Sequence, residues 1–373
     1  MLEQLPRAVL DDAVREMDSD DVVDLVEDLD DAERALILAA LDAGDRAAVQ
    51  QSLAYPEYSA GRLMQSEVVT APEHWTVARA IQFLRAEEWL PEQFYHIVLV
   101  DPRRHPVGYV TLGRLLASRS DATLRELAED SFRTISAFAE EAEVAYVFNQ
   151  YHLISAPVVD RDDRLVGVIT IDDAMQVLDE EHEEDILRLA GVGDESSISD
   201  SVMQTVRQRV PWLATNIVTA LAAASVIAFF EDAIAQLVAL AVLMPIVASM
   251  GGNAGTQTLT VAVRGLATRD LSRANALRVV RREVIVGRTN GGFFGVIMAA
   301  ITWIWFRDPG LAAVIGSAMI INLLVAALAG ILIPLGLNKL GADPALASGT
   351  FVTMMTDVIG FLAFLGLATA VLL

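Results

Sequence analysis

One carboxylate lies inside an apolar stretch near the end of the chain. Asp357 interrupts the run from Ala345 to Leu373, which holds no other charged residue. An ionised carboxylate near the middle of a membrane span costs about 2.5–3.5 kcal/mol on insertion scales, so it must face a partner, a cavity or an ion. No Lys or Arg accompanies Asp357 within these apolar runs. We expect a cation or a proton as its partner; the alternative is a protonated Asp hydrogen-bonded between helices.

A glycine-rich polar segment lies in another apolar run. It reads Met250-Gly251-Gly252-Asn253-Ala254-Gly255-Thr256-Gln257-Thr258. Three glycines in five residues weaken a helix and predict freed carbonyls, which membrane proteins tolerate where the backbone lines a watery cavity. Carboxylate, carbonyl and water oxygens are the ligands that Mg²⁺ and Ca²⁺ take, so this segment and Asp357 together favour a site for a hard cation. The alternative is close helix packing through Gly251 and Gly255, a GxxxG pair.

The elements that must position these residues are membrane helices. Uncharged runs of at least about 18 residues indicate spans. The five spans are predicted at 213–230, 233–263, about 284–306 (around the uncharged run 289–306), 309–338 and 345–373. Basic residues collect before the first span and in the loop between the second and third, which places both on the cytoplasmic side. These residues are Arg207, Arg209, Arg264, Arg269, Arg273, Arg278, Arg281, Arg282 and Arg288. Five spans then leave Leu373 outside.

The composition divides the chain into two halves. Residues 1–200 carry 43 Asp and Glu against 16 Lys and Arg, whereas residues 201–373 carry 7 against 11. The acidic half would repel phosphate, which argues against nucleic acid as a partner. Without Cys there is no disulfide or thiolate metal site, and all five His lie in the acidic half, so no HExxH motif occurs in the apolar half. The N-terminus lacks a signal pattern, and the acidic half is expected to stay on the side where it is made.

An internal repeat occurs in the acidic half. Residues 96–101 and 107–112 match 155–160 and 166–171 at a constant offset of 59, and each copy reads as strand, turn and strand between helices. This order resembles tandem cystathionine-β-synthase (CBS) domains, which often bind adenine nucleotides such as ATP. The resemblance implies that Thr170 and Asp173 of the second copy contact a nucleotide. The first copy has Arg114 at the matching position, so at most one such site is expected, and a purely structural pair is the alternative.

Acidic helices flank the repeat. Apolar residues recur three and four apart in four short helices between residues 11 and 53, with Asp and Glu on their outer faces. A second acidic cluster, 179–185, leads into residues 197–210, where Val202, Val206 and Val210 form an apolar stripe at helical spacing. We expect a connecting helix here that carries a signal to the membrane half; a membrane-surface anchor is the alternative.

Taken together, these residues resemble the MgtE magnesium channels. The resemblance covers nearly the whole chain in the family's order: residues 55–64, the CBS pair, 251–257 running into 264–270, and Asp357-Val358-Ile359-Gly360. It implies a multidomain fold with an all-α acidic N-terminal domain, an α/β tandem CBS pair, a connecting (plug) helix and an α-helical transmembrane domain of five spans. The predicted boundaries are 1–63 for the N domain, 64–125 and 126–182 for the CBS copies, 183–210 for the acidic linker and connecting helix, and 211–373 for the pore domain.

The resemblance also implies a function and a set of residues. It implies a homodimeric, Mg²⁺-selective channel in the plasma membrane, embedded in lipid, gated by cytosolic Mg²⁺, with the N-terminus and CBS pair in the cytoplasm. The implied pore residues are Asp357, Asn253, Gly251, Gly252, Gly255, Thr256, Gln257 and Gly360. The implied sensor ligands are Asp173, Glu181, Glu184 and Asp185. The N domain is shorter than is usual in the family, so some sensor sites are expected to be missing.

Two other functions fit the residues. A proton- or sodium-coupled carrier of divalent cations would use Asp357 as a titrating relay. A CBS-bearing membrane sensor without conduction would use the glycine segment only for packing. An enzyme is disfavoured, because the membrane half contains no catalytic constellation of His, Cys or Ser.

Overall fold

The chain forms two compact units, Met1–Glu181 and His182–Leu373. The computed structural model describes residues 7–373 except 28, 88, 92, 130–131, 193–195, 198 and 273. Each unit has hydrophobic clusters of its own. The two are therefore described separately.

The first unit begins with a helical domain. Its helices are α1 (Arg7–Glu16), α2 (Ser19–Glu27), α3 (Asp31–Ala40) and α4 (Ala43–Ser52). Aspartates cap two of them: Asp30 accepts hydrogen bonds from the backbone N–H groups at the start of α3, and Asp42 does the same for α4. Val23, Val26 and Ile37 are fully buried in the shared core. The predicted all-α N-terminal domain is confirmed.

Two copies of one α/β arrangement follow. The first contains α5 (Ala60–Leu63), β1 (Thr70–Pro72), α6 (Val77–Ala86), β2 (His96–Val100), β3 (Pro106–Thr111), α7 (Leu112–Ala117) and α8 (Leu124–Leu127). The second contains β4 (Ile135–Ser136), α9 (Glu141–Tyr151), β5 (Ser155–Val159), β6 (Leu165–Thr170) and α10 (Ile171–Leu189). In each sheet the first strand runs parallel to the second, and the second antiparallel to the third. The short first strands, β1 and β4, have no counterpart in the sequence-based prediction.

The repeat is equally visible in residue register and in the turns. His96 pairs with Thr111 in the first copy, and Ser155 pairs with Thr170 in the second, 59 residues further along. The turn after each middle strand contains a left-handed residue, Arg104 with φ 68° and Asp163 with φ 57°. The predicted repeat is therefore confirmed, including its offset.

Equivalent positions of the two copies meet in the first unit. His96 Nδ1 lies 2.5 Å from Ser155 Oγ, and these two residues occupy the same place in their respective repeats. The His96 ring also stacks edge-on against Tyr109, with centroids 4.4 Å apart. Burial lowers the pKa of His96. A neutral imidazole therefore joins the two copies.

The second unit is built from long helices. They are α11 (Val202–Phe229), α12 (Glu231–Gln236), α13 (Ala239–Ala267), α14 (Ala276–Phe306), α15 (Pro309–Lys339) and α16 (Pro344–Leu372). Five of the described helices, all except the short α12, are long and apolar enough to cross a membrane. The most apolar part of α15 is 56% buried, against 6% for that of α11. α15 is thus the central helix, and the predicted five spans are confirmed.

Several predicted boundaries fall inside helices. Residues 182 and 183 both belong to α10, and α11 runs from Val202 through Pro211 without a break. The predicted connecting helix and the first span are therefore one continuous helix. α14 also starts at Ala276, well before the uncharged run. Hydropathy ends a span at the first charge, whereas backbone hydrogen bonding continues and long Arg side chains extend toward water.

The expectation of freed carbonyls in the glycine-rich segment is wrong. α13 is helical from Ala239 to Ala267, straight through Gly251, Gly252 and Gly255. Gly251 and Gly255 are buried. The GxxxG alternative therefore describes the backbone here, because glycines tolerated in a helix allow neighbouring helices to approach closely.

A buried glycine fixes how the second repeat packs on the segment after α5. A Cβ on Gly167 of β6 would lie 2.6 Å from Met64 Sδ and 2.8 Å from the carbonyl oxygen of Gln65. That carbonyl accepts a hydrogen bond from Val168 N, so the backbone cannot move away freely. Gly113 of α7, by contrast, has open space at its Cβ position.

We predict that Gly167→Ala destabilises the first unit by about 1–3 kcal/mol through overpacking. For a unit of this size the melting temperature falls by roughly 2–4 °C per kcal/mol. Calorimetry of the purified chain measures the shift. Gly113→Ala is the matched control and should be neutral or stabilising, because Ala favours a helix by roughly 1 kcal/mol over Gly. Equal melting temperatures for both variants would contradict the packing described.

Candidate functional site

An open cavity of about 480 Å³ in the second unit contains Asp357. Its walls come from α11, α13, α16 and the end of α10. The polar side chains in these walls are Arg188, Asn216, Thr219, Thr256, Thr260, Thr350, Thr353 and Asp357. No ion pair to Asp357 occurs among the described residues. The structure thus places the carboxylate of Asp357 on a cavity whose other lining side chains include the hydroxyl of Thr256.

Four threonines of this cavity use their hydroxyl hydrogens within their own helices. Thr256 Oγ1 donates to the carbonyl of Gly252 at 2.9 Å, and Thr353 Oγ1 donates to that of Gly349 at 3.0 Å. Thr219 and Thr260 make equivalent bonds. A hydroxyl has one hydrogen and two lone pairs, so each oxygen keeps its acceptor capacity for the cavity. The wall next to Asp357 therefore offers lone pairs, which suit a cation or the hydrogens of its water shell.

The other predicted pore residues separate into two groups. Gly251, Gly255 and Gly360 are buried against neighbouring helices, where a Cβ on Gly255 would lie 2.5 Å from Val352. Asn253 is exposed and donates to Ser249 Oγ at 3.4 Å, and Gly252 has open space at its Cβ position.

Gln257 lines a different cavity. This second cavity, of about 150 Å³, lies on the side of α13 facing α14 and α15 and also contains Glu283 and Asn290. The structure therefore does not bring Gln257 to Asp357. Its place in the pore stays a prediction.

Sequence reasoning missed Asn322. This residue of α15 is fully buried, and its Nδ2 donates to the carbonyl of Val247 at 2.7 Å. The side chain lies against Gly251 and Gly360, which explains why these two positions are glycines. A neutral amide in the middle of an apolar span was the available signal. A count of charged residues does not register it.

An ion-pair network lies at the end of α10. Arg188 bridges Glu184 at 2.7 Å and Asp343 at 2.8 Å. Asp343 also caps α16 by accepting a hydrogen bond from Ala345 N. Burial, followed by the charge of Asp343, raises the pKa of Asp185. Two of the predicted sensor residues, Glu184 and Asp185, thus belong to an acidic cluster of the second unit that one arginine partly neutralises.

A second acidic cluster surrounds a cavity of about 240 Å³ in the first unit. Its acids come from α2, α9 and α10 and from both the helical domain and the second repeat. They are Asp20, Asp21, Asp24, Glu27, Glu141, Asp173 and Glu180. Only Asp173 of these was predicted; Glu181 follows Glu180 on α10 but does not line the cavity. For the acids of α2, the available signal in the sequence was the close spacing of Asp20, Asp21 and Asp24 along one helix.

Burial and mutual repulsion raise the pKa values of carboxyl groups in this cluster. Burial, and then the charge of Asp173, raise the pKa of Asp20 to about 8. Burial, and then Glu180, raise the pKa of Glu141 to about 7. The one basic residue in the lining, Arg62, pairs with Glu27. A hard divalent cation would suit an all-oxygen donor set of this charge. In the described structure no three acidic or histidine side chains converge on a single ion position.

The predicted nucleotide residues are bonded to each other. Thr170 Oγ1 lies within hydrogen-bond distance of the carboxylates of Asp172 and Asp173, and Thr170 N donates to Asp173 Oδ2 at 3.2 Å. The cavity beside Thr170 measures about 20 Å³, roughly the space of one water molecule. In the first copy Arg114 pairs with Glu129 instead. Nucleotide binding would thus require this cavity to open, and it stays a prediction.

These features define a membrane transporter for cations that carries an acid-rich domain ahead of its spans. Residues 244–367 match the family model MgtE, described as a divalent cation transporter. Residues 1–58 match the MgtE intracellular N domain, and residues 60–121 and 119–180 match CBS domains.

Curated relatives agree with these matches. The chain is 31% identical over 358 residues to the magnesium transporter MgtE of Bacillus subtilis (strain 168), which covers 96% of this chain and 79% of the relative. It is 33% identical over 321 residues to the magnesium transporter MgtE of Enterococcus faecalis (strain ATCC 700802 / V583), covering 86% and 71%. The chain therefore belongs to the MgtE family of divalent cation transporters. It is a transporter and not an enzyme.

A solved structure is similar to part of this chain. The cytosolic domain of the Mg²⁺ channel MgtE in complex with ATP is 30% identical, and the match covers 47% of this chain and 72% of that chain with a TM-score of 0.45.

We predict that the stability of the first unit falls as pH rises from about 4 to 8. Unfolded Asp20 loses its proton near its ordinary pKa of 3.8, whereas the folded group holds it to about 8, so unfolding releases a proton in this window. The upper limit is about 1.4 kcal/mol per pH unit for each such proton. Asp20→Asn, which mimics the neutral form, should raise the melting temperature at pH 8 and leave it unchanged at pH 4.

The exposed turn variant Asp162→Asn serves as the control for charge removal. Its melting temperature should follow that of the unaltered chain at both pH values, measured by calorimetry without divalent ions. A pH-independent effect of Asp20→Asn would contradict the retained proton.

Proposed function

We propose that the chain conducts Mg²⁺ across the membrane through its second unit, with Asp357 as the ligand that selects the ion. The observation that carries this proposal is the single carboxylate facing a cavity whose threonine hydroxyls present lone pairs. The relatives named above are magnesium transporters, which supports Mg²⁺ as the substrate.

Mg²⁺ would pass Asp357 with part of its water shell. Mg²⁺ dehydrates reluctantly and keeps several waters even when bound to a carboxylate. Water molecules on the ion direct their hydrogens outward, toward the lone pairs of Thr256, Thr260 and Thr353. The wall would therefore act on the hydrated ion, and it would repel anions.

The channel is proposed to be a homodimer. One chain supplies one pore carboxylate and walls from three spans, and the cavity is open. A second copy related by a two-fold axis would close the cavity and add its own Asp357, giving an ion two carboxylates. Closed two-fold assemblies are the commonest form of homo-oligomer. The proposed setting is the plasma membrane, with the first unit in the cytoplasm and Leu373 outside.

Cytosolic Mg²⁺ is proposed to regulate the channel through the two acidic clusters. Without divalent ions, burial and then repulsion between neighbouring carboxylates raise the pKa values of Asp20 and Asp173. Ions bound among them would cancel the repulsion and hold the helical domain against the second repeat. Glu184, Asp185 and Asp343 form the corresponding cluster beside the pore cavity. Ion binding at both clusters would shift the population toward a closed channel.

We predict that Asp357→Asn reduces Mg²⁺ uptake into liposomes at least about tenfold, because the amide keeps the size of the side chain but removes the charge. Asp308→Asn is the matched control: it also removes one carboxylate of the second unit, yet Asn can still cap α15 in place of Asp308. Uptake by this control should be unchanged. Full uptake by Asp357→Asn would remove Asp357 from the pore, and uptake that follows an imposed proton or Na⁺ gradient would favour a coupled carrier.

We predict that millimolar Mg²⁺ slows proteolysis of the first unit in the full-length protein, since bound ions would stabilise its acidic interface. Replacing Asp20, Asp24 and Asp173 together by Asn should make the cleavage rate independent of Mg²⁺. Cleavage by a protease of neutral specificity, followed on gels with and without a chelator, measures this. An unchanged rate in the unaltered chain would rule out the regulatory part of the proposal.

A further inference from the structure

Asn322 lies where three membrane helices cross. It belongs to α15, its side chain is fully buried, and its Nδ2 donates to the carbonyl of Val247 in α13 at 2.7 Å. Since only the nitrogen can donate to a carbonyl, this bond also fixes the place of Oδ1. Oδ1 accepts no hydrogen bond from any described residue. A buried polar atom without a partner is costly, so the amide needs an explanation.

The amide separates two glycines of different helices. A Cβ on Gly251 of α13 would lie 2.3 Å from Asn322 Nδ2, and a Cβ on Gly360 of α16 would lie 2.9 Å from both Oδ1 and Nδ2. No larger residue fits at either glycine while the amide is present. The thickness of one amide therefore sets the spacing of α13 and α16 at this level.

The spacing of α13 and α16 at Asn322 also affects the cavity, because Gly360 and the cavity residue Asp357 belong to the same helix. Thr356 and Gly360 are one helical turn apart and share the buried face of α16. Asp357 follows Thr356 and lines the cavity, as does Thr256 of α13. Helices move as rigid segments at this scale, so a change at Gly360 changes the separation between Asp357 and Thr256.

We propose that Asn322 is a positioning residue, which sets the separation of the Asp357 carboxylate from the α13 oxygens and thereby the choice among divalent cations. This inference rests on the proposed conduction past Asp357. If Asn322 served only to pack the helices together, an apolar residue such as Leu would be preferred over Asn at this position. Leu has the same branching as Asn, buries no unpaired oxygen and would serve packing in an apolar span at least as well, but its tetrahedral end is thicker than a flat amide and would change the spacing of α13 and α16. Polar groups that act as helix glue also find partners for all their atoms, and Oδ1 has none here.

The experiment compares Asn322→Leu with the unaltered chain in liposomes. It measures Mg²⁺ uptake, its half-inhibition by Mn²⁺ and by Co²⁺, and the melting temperature in detergent. We expect a melting temperature close to that of the unaltered chain and a change of roughly three- to tenfold in the Mg²⁺-to-Mn²⁺ and Mg²⁺-to-Co²⁺ ratios. Gly360→Ala should shift the ratios as well, because its methyl group meets the same amide. Gly336→Ala, on the same helix as Asn322 and with open space at its Cβ position, should leave them unchanged.

A double variant tests the same proposal if Asn322→Leu or Gly360→Ala does not fold. Asn322→Ala with Gly251→Ala puts a single methyl group in place of the amide, which changes the spacing of α13 and α16 and removes the bond to Val247; a shift in the ratios is expected. If folded Asn322 variants keep the Mg²⁺-to-Mn²⁺ and Mg²⁺-to-Co²⁺ ratios of the unaltered chain while Asp357→Asn is inactive, the positioning role is overturned and the proposed pore is not. Uptake retained by Asp357→Asn would overturn the proposed pore and the inference with it.

Discussion

A carboxylate inside a membrane unit must be compensated, and no described basic side chain forms an ion pair with Asp357, because Arg188 on the same cavity pairs with Glu184 and Asp343. The nearby threonines cannot neutralise it, because their hydrogens are already bonded to carbonyls of their own helices. Compensation has to come from water or from a cation that enters the cavity. The rest of the second unit is consistent with this constraint. The central helix α15 buries apolar surface, and glycines let α13 and α16 approach it. One face of α13 and one face of α16 stay open to the cavity.

The acidic residues of the first unit are clustered, unlike Asp357. Burial, and then repulsion between neighbouring carboxylates, raise the pKa values of Asp20 and Asp173 when no metal is bound. Among the described residues that line its cavity, Asp357 has no such acidic neighbour. In the proposed function, the acidic cluster of the first unit responds to the concentration of an ion, whereas the single carboxylate of the second unit lets an ion pass. The strongly uneven distribution of acidic residues along the chain reflects these two tasks.

Periodic features of the sequence predicted most of the fold. Long uncharged runs predicted the five membrane helices, and the offset of 59 residues predicted both β-hairpins, because apolar patterning is local information. β1 and β4, of three and two residues, are too short to show a period. The glycine segment was misinterpreted because intrinsic helix propensity is outweighed by the packing that glycine permits in a membrane. Asn322 and the acids of α2 depend on partners far away in sequence, so no local pattern identifies their roles.

The continuous helix α11 has a consequence for the lipid around the protein. Its 28 residues extend about 42 Å at 1.5 Å per residue, whereas the hydrocarbon layer is about 30 Å thick. About eight residues, including Arg207 and Arg209, therefore extend past the hydrocarbon on a rigid rod. In a thinner bilayer that rod has to tilt, which swings its Val202 end sideways. The free energy of moving that end thus contains a contribution from hydrophobic mismatch, so bilayer thickness enters the conformational equilibrium of the protein alongside any ligand.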